Sequence, residues 1–247
     1  MVPGSGGAAD VGLGCAGACT LVGGRFGGAE VRELTGADAE VIALVGTDYS
    51  KTLDAILNRG VVRIGNETMN RALAQELLLG DRELLVLGIR KATFGDTVTL
   101  TAATCPDCGQ SFEAAVSTDD IPVKHLDDPE RIEYAVPLRD GATANVRLPI
   151  GSDYAHVAGL AQDNPAQQNT ALLDRCIVKI TQSNGAEQRG GAGTAGKLKM
   201  PNRAKIVKFL IESQPGPRYT DTVLVHEACG ATIPAPVTFF DLYGEII

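Results

Sequence analysis

Two short motifs in this sequence combine residue types and spacings that are typical of metal binding. The first is Cys105-Pro-Asp-Cys-Gly109, and the second is His226-Glu-Ala-Cys-Gly230. Each motif places two ligands three positions apart, so that a single turn can direct both at one ion. The glycine after the second ligand permits the left-handed backbone that such a turn favours. Each motif supplies only two of the four ligands of a tetrahedral site.

The two motifs together predict one structural zinc ion, bound by Cys105, Cys108, His226 and Cys229. A set of three cysteines and one histidine is a common structural type, and four protein ligands leave no position for water or substrate. Two alternatives remain open. The thiols can pack without a metal, or His226 can be a surface residue, which leaves a three-cysteine site or a catalytic zinc with an open position.

The motifs end two similar stretches of sequence, which indicates an internal duplication. Ala55–Ile64 resembles Ala171–Ile180, and Gly80–Ile89 resembles Pro201–Leu210 more loosely. The distance between matching residues grows from 115 at the two helix entries to 121 at the two motifs, so small insertions separate the copies. Two half-sites at the far ends of two copies suggest that one ion joins the copies.

Hydrophobic spacing predicts an α+β fold with two duplicated lobes, joined by a shared zinc-ribbon-like site. Each lobe has the order helix, helix, strand, metal-binding turn, strand. A helix starts at Thr35 or Asp38, and a longer helical segment over 69–90 is interrupted at Gly80-Asp81. Arg139-Asp-Gly141, between two alternating segments, predicts a hairpin.

Composition along the chain predicts the domain organisation. Residues 1–30 are a flexible arm rich in glycine and alanine, 31–123 the first repeat lobe, 124–145 a connecting hairpin region, and 146–247 the second repeat lobe with a mobile loop at 183–196. Glycine-rich segments lose much backbone entropy on ordering. Cys15 and Cys19 in the arm are interpreted as thiols without a metal or a disulfide.

The overall composition excludes several classes of protein. A chain of 247 residues with 44% hydrophobic and 21% charged residues is typical of a soluble globular protein. No apolar run approaches the ~20 residues that span a bilayer. The net charge of −8 and the 4% aromatic content disfavour binding to nucleic acid or to anionic membranes. Cysteines in Cys-x2-Cys spacing favour metal chemistry in a reducing compartment over a disulfide framework.

The sequence resembles a known family at several motifs. Leu79–Arg90, Thr93–Thr97, Cys105–Gly109 and the opening Arg32–Gly36 are similar to the baseplate hub assembly proteins of T-even-like contractile-tailed phages and related contractile injection systems. The resemblance covers most of residues 31–243. His226 stands where that family usually has a cysteine, and the glycine-rich arm and loop are further departures.

The resemblance implies a non-enzymatic structural or assembly role at the hub of a phage tail baseplate. It implies contacts with other tail proteins, several copies per assembly, and a place in the virion tail baseplate after assembly in the host cytoplasm. The sequence contains neither a phosphate-binding loop nor a nucleophile elbow, which agrees with this role. The alternative is a zinc-ribbon adaptor for nucleic acid, although Asp107, Glu113 and Glu227 lie in the two motif segments.

Overall fold

The computed structural model describes residues 28–45, 48–100, 103–128, 131–160 and 164–244. The first half contains, in chain order, β1 (Ala29–Val31), α1 (Gly36–Ala43), α2 (Tyr49–Gly60), β2 (Val61–Ile64), β3 (Glu67–Thr68), α3 (Arg71–Glu76), α4 (Leu79–Phe94), β4 (Thr97–Thr99), β5 (Ala103–Thr104), β6 (Ser111–Phe112) and β7 (Ala115–Ser117). The mixture of helices and short antiparallel strands agrees with the predicted α+β class.

The second half continues with a similar succession of elements. It contains β8 (Val123–Lys124), β9 (Tyr134–Pro137), β10 (Thr143–Val146), α5 (Gly151–Ala158), α6 (Pro165–Cys176), β11 (Ile177–Thr181), β12 (Glu187–Arg189), α7 (Thr194–Lys197), α8 (Met200–Ser213), β13 (Gly216–Pro217), β14 (Val223–Val225), β15 (Thr232–Pro234) and α9 (Phe239–Tyr243). Each half therefore has more strands than the five-element order predicted from the sequence.

Two small antiparallel sheets organise the halves. One has the strand order β1-β2-β3 and the other β12-β11-β10-β9. The register shifts between Glu30 and Val31 in one sheet and between Asn145 and Val146 in the other. The predicted hairpin is confirmed, because β9 pairs with β10 and Gly141 in its turn has a φ of 77°.

The corner between strand and helix is fixed in both halves by an arginine and an aspartate. Arg32 donates two hydrogen bonds to Asp38, at 2.8 and 2.9 Å, and Arg147 does the same to Asp153, at 2.6 and 2.9 Å. Each carboxylate also accepts the N–H of the residue that precedes its helix. At the first corner, Thr35 completes a capping box, as its position in the sequence predicts.

The second of these aspartates is the more deeply buried and accepts a hydrogen bond from a second arginine. Asp153 is fully buried and also accepts a 2.6 Å hydrogen bond from Arg175. Burial by itself would raise the pKa of this carboxyl, but the hydrogen bonds from Arg147, from the Ile150 N–H and from Arg175 lower it on balance. Asp153 therefore stabilises the folded protein as a carboxylate.

Apolar side chains form two clusters that do not follow the boundaries predicted for the lobes. The first cluster includes residues of α2, β2 and α4, and also Ala235, Val237 and Leu242 from the C-terminal segment. Tyr243 in α9 is fully buried there and donates a 2.6 Å hydrogen bond to the Val86 carbonyl of α4. The end of the predicted second lobe therefore packs on the core of the first.

The break in the long helical segment lies earlier than the sequence predicts. α3 ends at Glu76 and α4 begins at Leu79, whereas the prediction placed the break at Gly80-Asp81. Gly80 lies inside the helix, and β13 packs directly against it. A Cβ atom at Gly80 would lie 1.7 Å from the carbonyl oxygen of Pro215. The glycine is required by this close approach and not by a turn.

The halves meet at a buried arginine. Arg82 in α4 is 2% exposed, donates a 2.7 Å hydrogen bond to the Ala74 carbonyl and pairs with Asp54. Gly151, the first residue of α5, lies against this guanidinium and donates its N–H to the Leu77 carbonyl at 2.9 Å. The absence of a side chain at Gly151 therefore allows the start of α5 to lie in close contact with α3.

Two predicted segments differ from expectation. The segment 183–196, predicted as a mobile loop, contains β12 and the start of α7, where Asp174 accepts the N–H groups of Gly193 and Ala195 at 2.7 and 2.6 Å. The predicted arm overlaps β1 at its last two residues. Residues 1–27, with Cys15 and Cys19, lie outside the described residues. Within the described ranges, no helix has the length and apolar character that a bilayer crossing requires.

Replacing Gly151 with alanine is expected to destabilise the protein by about 1–3 kcal/mol, because the new methyl group overpacks the junction. Its Cβ would lie 2.4 Å from the Arg82 guanidinium and 2.8 Å from the Ala74 carbonyl. Gly36→Ala is the matched control, since Gly36 is the first residue of α1 and has no atom within 4 Å of a built Cβ. Denaturant unfolding of both variants checks this, and an equal effect of the two substitutions would contradict it.

Replacing Asp153 with asparagine is expected to cost about 2 kcal/mol at pH 7, because charge-assisted hydrogen bonds from two arginines are weakened. The folded-state pKa of Asp153 is lowered, so its stabilisation is present above the ordinary pKa of about 4 and is lost as the pH falls through the folded-state value. The difference between wild type and variant should therefore narrow from pH 7 to pH 3.

The matched control is Asp119→Asn, which removes an exposed ion pair with Lys91 at 2.7 Å. Such pairs contribute roughly 0–1 kcal/mol. Unfolding curves at pH 7, 5 and 3 provide the measurement. A cost for Asp153→Asn that stays constant over this pH range would show that the carboxylate charge is not what stabilises the corner.

Candidate metal centre

The first metal-binding motif forms the tip of a short hairpin between β5 and β6. Cys105 donates its N–H to the Gln110 carbonyl at 2.9 Å and accepts the Gly109 N–H at its own carbonyl, also at 2.9 Å. Gly109 has a φ of 72°, the left-handed conformation that glycine adopts at little cost. The turn therefore closes so that the side chains of Cys105 and Cys108 lie on the same side.

The second motif forms an equivalent turn between β14 and β15. His226 donates its N–H to the Ala231 carbonyl at 2.8 Å and accepts the Gly230 N–H at 2.7 Å. Gly230 has a φ of 73°. The two turns thus have the same hydrogen-bond pattern and the same left-handed glycine, as their sequences predict, although His226 stands in place of the first cysteine.

The two turns bring their four side chains together. The ligand atoms of Cys105, Cys108, His226 and Cys229 all lie within 4.8 Å of one another. The Sγ atoms of Cys105 and Cys229 are 3.6 Å apart, and Nδ1 of His226 lies 3.2 Å from Cys229 Sγ and 3.5 Å from Cys108 Sγ. This cluster can bind a metal ion.

These separations fit the edges of a zinc tetrahedron. Bond lengths of about 2.3 Å to sulfur and 2.0 Å to nitrogen imply about 3.8 Å between two sulfurs and about 3.5 Å between sulfur and nitrogen. The observed 3.6 Å between Cys105 and Cys229 is also far longer than the disulfide bond length of about 2.05 Å. Four donors at these separations can bind a metal ion, and Cys105 and Cys229 are not joined by a disulfide.

The surroundings of the cluster favour thiolates unequally. Hydrogen bonds from the backbone N–H groups of Cys108 and Asp107 lower the pKa of Cys105 to about 7. The Ala231 N–H favours the Cys229 thiolate as well, but burial and the neighbouring thiols raise its pKa on balance. One thiolate therefore forms readily and opposes the next, which is the electrostatic situation that a divalent cation relieves.

His226 is held in the cluster by a contact that sequence reasoning missed. Its side chain is 6% exposed, and its ring lies against Phe112 of β6, with the ring centroids 4.5 Å apart. Nδ1 faces the cysteines. The alternative in which His226 is a surface residue is therefore wrong. The predicted order of elements places a strand after the first turn, but it does not show which residue the aromatic side chain of that strand would contact.

Other residues with reactive side chains lie elsewhere. Cys176 is fully buried in the second apolar cluster, where burial raises the pKa of its thiol to about 12. Burial also raises the pKa of Glu83 to about 7, although a hydrogen bond with Tyr49 opposes this shift. A pKa near neutrality is a property of many catalytic acids. The side chains that lower this pKa are Tyr49, Arg218 and Arg82.

One cleft among the described residues is lined mainly by apolar side chains. It has a volume of about 150 Å³ and lies between the two halves, where Leu78, Leu126, Leu148, Ile150 and Val178 line most of it. None of these five side chains can transfer a proton or attack a substrate. Ile132 and the charged residues Arg131, Glu133 and Arg147 complete its lining.

Comparison with known proteins adds the biological context. The sequence model of the family described as T4 bacteriophage base plate protein matches residues 27–189, about two thirds of the chain. The chain belongs to this family. The match confirms the baseplate part of the resemblance seen in the sequence, and it includes Cys105 and Cys108 but ends before His226. No curated protein and no solved structure gives a significant match to this baseplate protein.

Purified baseplate protein is expected to contain about one zinc ion per chain, measured by elemental analysis. Cys105→Ser and His226→Ala should each lower the metal content severalfold and reduce thermal stability, because three remaining ligands bind zinc more weakly than four. His226→Cys should retain the metal, since four cysteines also form a structural site.

Two controls separate metal binding from general damage. His125→Ala changes an exposed histidine, and Cys176→Ser changes a buried thiol that lies outside the cluster. Neither should alter the zinc content of folded protein. Zinc that is absent from wild type, or retained in full by Cys105→Ser, would show that the cluster is a packed set of thiols.

Proposed function

We propose that this chain is a non-enzymatic component of the hub of a contractile phage tail baseplate, held in shape by one structural zinc ion. The family match over residues 27–189 carries the proposal, since it makes the chain a baseplate protein. The hub position is supported by the resemblance of the motifs around Leu79–Arg90 and Cys105–Gly109 to hub assembly proteins. Contacts with other tail proteins and a place in the virion tail baseplate follow from this role.

A structural role for the metal is supported by the geometry of its ligands. Four protein side chains offer one ligand atom each, so a zinc ion bound by all four would have no open position for a water nucleophile. The ligands come from turns that are more than a hundred residues apart in sequence, and a link across such a long loop restricts the unfolded chain. Zinc bound here would fasten the C-terminal segment to the first half.

The internal duplication is part of this proposal. Corresponding interactions in the two halves support it, namely the Arg32–Asp38 and Arg147–Asp153 pairs and the N–H groups of these arginines, which donate to the carbonyls of Gly60 and Cys176 at 2.8 and 2.9 Å. The two turns of the metal centre are a further pair. A repeated unit of this kind presents two similar surfaces, which suits a protein that contacts several neighbours in an assembly.

Exposed apolar side chains of the C-terminal segment suit contacts with neighbouring subunits. Val223 and Val225 lie on one face of β14 and are 51% and 64% exposed, directly before His226 in the sequence. Phe240 in α9 is 69% exposed. Apolar groups at the surface often mark protein interfaces when they are grouped. These residues are where we expect other tail proteins, or further copies of this chain, to bind.

The charge around the metal centre argues against the nucleic-acid adaptor. Asp107, Glu113 and Glu227 are exposed, while the segments 103–113 and 222–234 contain no lysine or arginine. Binding to nucleic acid depends on neutralising phosphates with cationic side chains. The protein should therefore not shift duplex DNA or single-stranded RNA in a gel at low salt, where such binding would be strongest.

Disruption of the gene in the phage that encodes this chain tests the proposal. We expect particles that lack complete baseplates by electron microscopy, because a hub component is required before the surrounding parts assemble. Complementation by wild type and by Cys176→Ser should restore baseplates, while Cys105→Ser should restore fewer than about a tenth as many. Quantitative mass spectrometry of intact particles then gives the copy number. Normal baseplates without the chain would contradict the proposal.

A further inference from the structure

The four-stranded sheet of the second half has two outer edges that differ in their backbone groups. β9 lies at one edge and β12 at the other. An outer strand presents unpaired N–H and C=O groups, which can pair with a strand of another molecule. In an antiparallel sheet every second residue of the outer strand points these groups away from the sheet. The residues in the outward positions therefore decide whether a further strand can be added.

The edge at β9 is blocked. Leu138, directly after this strand, donates its N–H to the Ala142 carbonyl at 2.8 Å, toward β10. By alternation, the outward positions of β9 are Ala135 and Pro137. Proline has no N–H to donate, and the Pro137 carbonyl already accepts a 3.0 Å hydrogen bond from Lys205 of α8. A further strand therefore cannot pair regularly with β9.

The edge at β12 is open among the described residues. Gly190, directly after this strand, donates its N–H to the Val178 carbonyl of β11 at 2.8 Å. By alternation, Gln188 points its backbone groups toward β11, while Glu187 and Arg189 point theirs away from the sheet. No described residue binds these outward groups, and all three residues of β12 are exposed. The strand can therefore accept a partner.

The side chains at this edge are charged, and one of them lacks a counter-charge. Lys179 of β11 donates a 2.6 Å hydrogen bond to Glu187. Arg189 lies directly opposite Lys179 in the pairing of the two strands, and like charges in such positions repel each other. Arg189 forms no ion pair with an acidic residue in the part of the chain that the structure describes. A carboxylate placed beside the open edge would offset this repulsion.

We propose that two copies of this chain form a symmetric dimer in which their β12 strands pair antiparallel and join the two sheets into one. With the two-fold axis at Gln188, Glu187 of each copy lies opposite Arg189 of the other. Both residues point their backbone groups outward, so each such pair exchanges both of its N–H···O hydrogen bonds across the interface. The carboxylate and the guanidinium of each pair lie on the same face of the joined sheet. Each Arg189 thereby gains the counter-charge that it lacks within its own chain.

The edge is complementary to itself in this register. A shift by one residue would place Gln188, which points inward, opposite an outward-pointing residue, and the hydrogen bonds between the strands would be lost. A shift by two residues would place Glu187 opposite Glu187, or Arg189 opposite Arg189, and like charges would meet. Both copies use the same strand, so the contact is closed. Because β9 is blocked at the far edge, the joined sheet does not grow into a fibre.

The dimer goes beyond the proposed baseplate role and does not depend on the metal centre. The ligand turns belong to the hairpins β5–β6 and β14–β15, which are separate from this sheet. Three residues per strand make a contact at the small end of the range for specific interfaces, so the dimer should be weak in dilute solution. Copies held together in a larger assembly would pair more completely, because their effective concentration is higher.

Sedimentation equilibrium of the purified full chain tests the proposal. Wild type should dimerise with a Kd on the order of 10–100 μM. Glu187→Arg and Arg189→Glu should each raise the Kd at least tenfold, because each places like charges opposite each other. An equimolar mixture of these two variants should dimerise as wild type does, since one presents only cations at the edge and the other only anions. Glu67→Arg, an equal charge change on the exposed strand β3, is the matched control and should leave the Kd unchanged.

Disulfide cross-linking tests the register. Gln188 faces its own copy in a non-hydrogen-bonded pair, where Cα atoms lie about 4.5 Å apart, within reach of a disulfide. Gln188→Cys should therefore form a covalent dimer on mild oxidation, at least tenfold more than Ser183→Cys in the turn before β12.

Three results would overturn the proposal. The first is wild type that stays monomeric at roughly 1 mM. The second is a mixture of the two charge variants that associates no better than either variant alone. The third is equal cross-linking of Gln188→Cys and Ser183→Cys. Zinc content and baseplate assembly do not enter these measurements, so failure here would leave the proposed function untouched.

Discussion

Four ligand side chains from two distant turns share a space of less than 5 Å, and this convergence constrains the rest of the molecule. Cys105 and Cys229 are separated by 123 intervening residues, yet their sulfur atoms are 3.6 Å apart. The C-terminal segment must therefore return to the turn that contains Cys105 near the end of the first half. Hydrogen bonds from the backbone favour thiolates there, while thiolates repel one another. A divalent cation would stabilise the thiolates and offset their repulsion. Binding it requires both turns to meet, so the chemistry of the cluster and the path of the chain depend on each other.

Helix α4 is the element on which this return path depends. It is buried on nearly all sides, as expected for a central helix that other elements surround. Gly80 allows β13 to approach its start, Arg82 joins it to the first turn of α5, and Val86 accepts the hydroxyl of Tyr243. Elements from both halves therefore use the same helix as their support. The two apolar clusters consequently interlock, and no single cut in the sequence separates them.

The parts of this fold that were predictable from the sequence are those that local chemistry determines. The capping box at Thr35, the hairpin around Gly141 and the two ligand turns depend on residues only a few positions apart. The position of the break before Leu79 was missed because a glycine such as Gly80 often ends a helix. Gly80 instead allows close contact with Pro215, 135 positions later in the sequence. The ordered elements within 183–196 were missed for a similar reason, since Asp174 of α6 binds the backbone of that segment. Contacts between distant segments decide both cases, and local composition does not record them.

The two halves differ in the side chains that contact the Arg–Asp corners and the metal-binding turns. The Arg–Asp corner is retained in both, but Asp153 has a second arginine at 2.6 Å where Arg59 lies 3.8 Å from Asp38. Asp153 is fully buried beside the junction with α3, whereas Asp38 accepts the Thr35 hydroxyl in addition to the bonds from its own arginine. The same reasoning applies to the metal turns, where a histidine takes one ligand position and Phe112 packs against its ring. In both cases the difference between the halves is accompanied by a different neighbouring side chain. These differences adapt each corner and each turn to the elements that surround it.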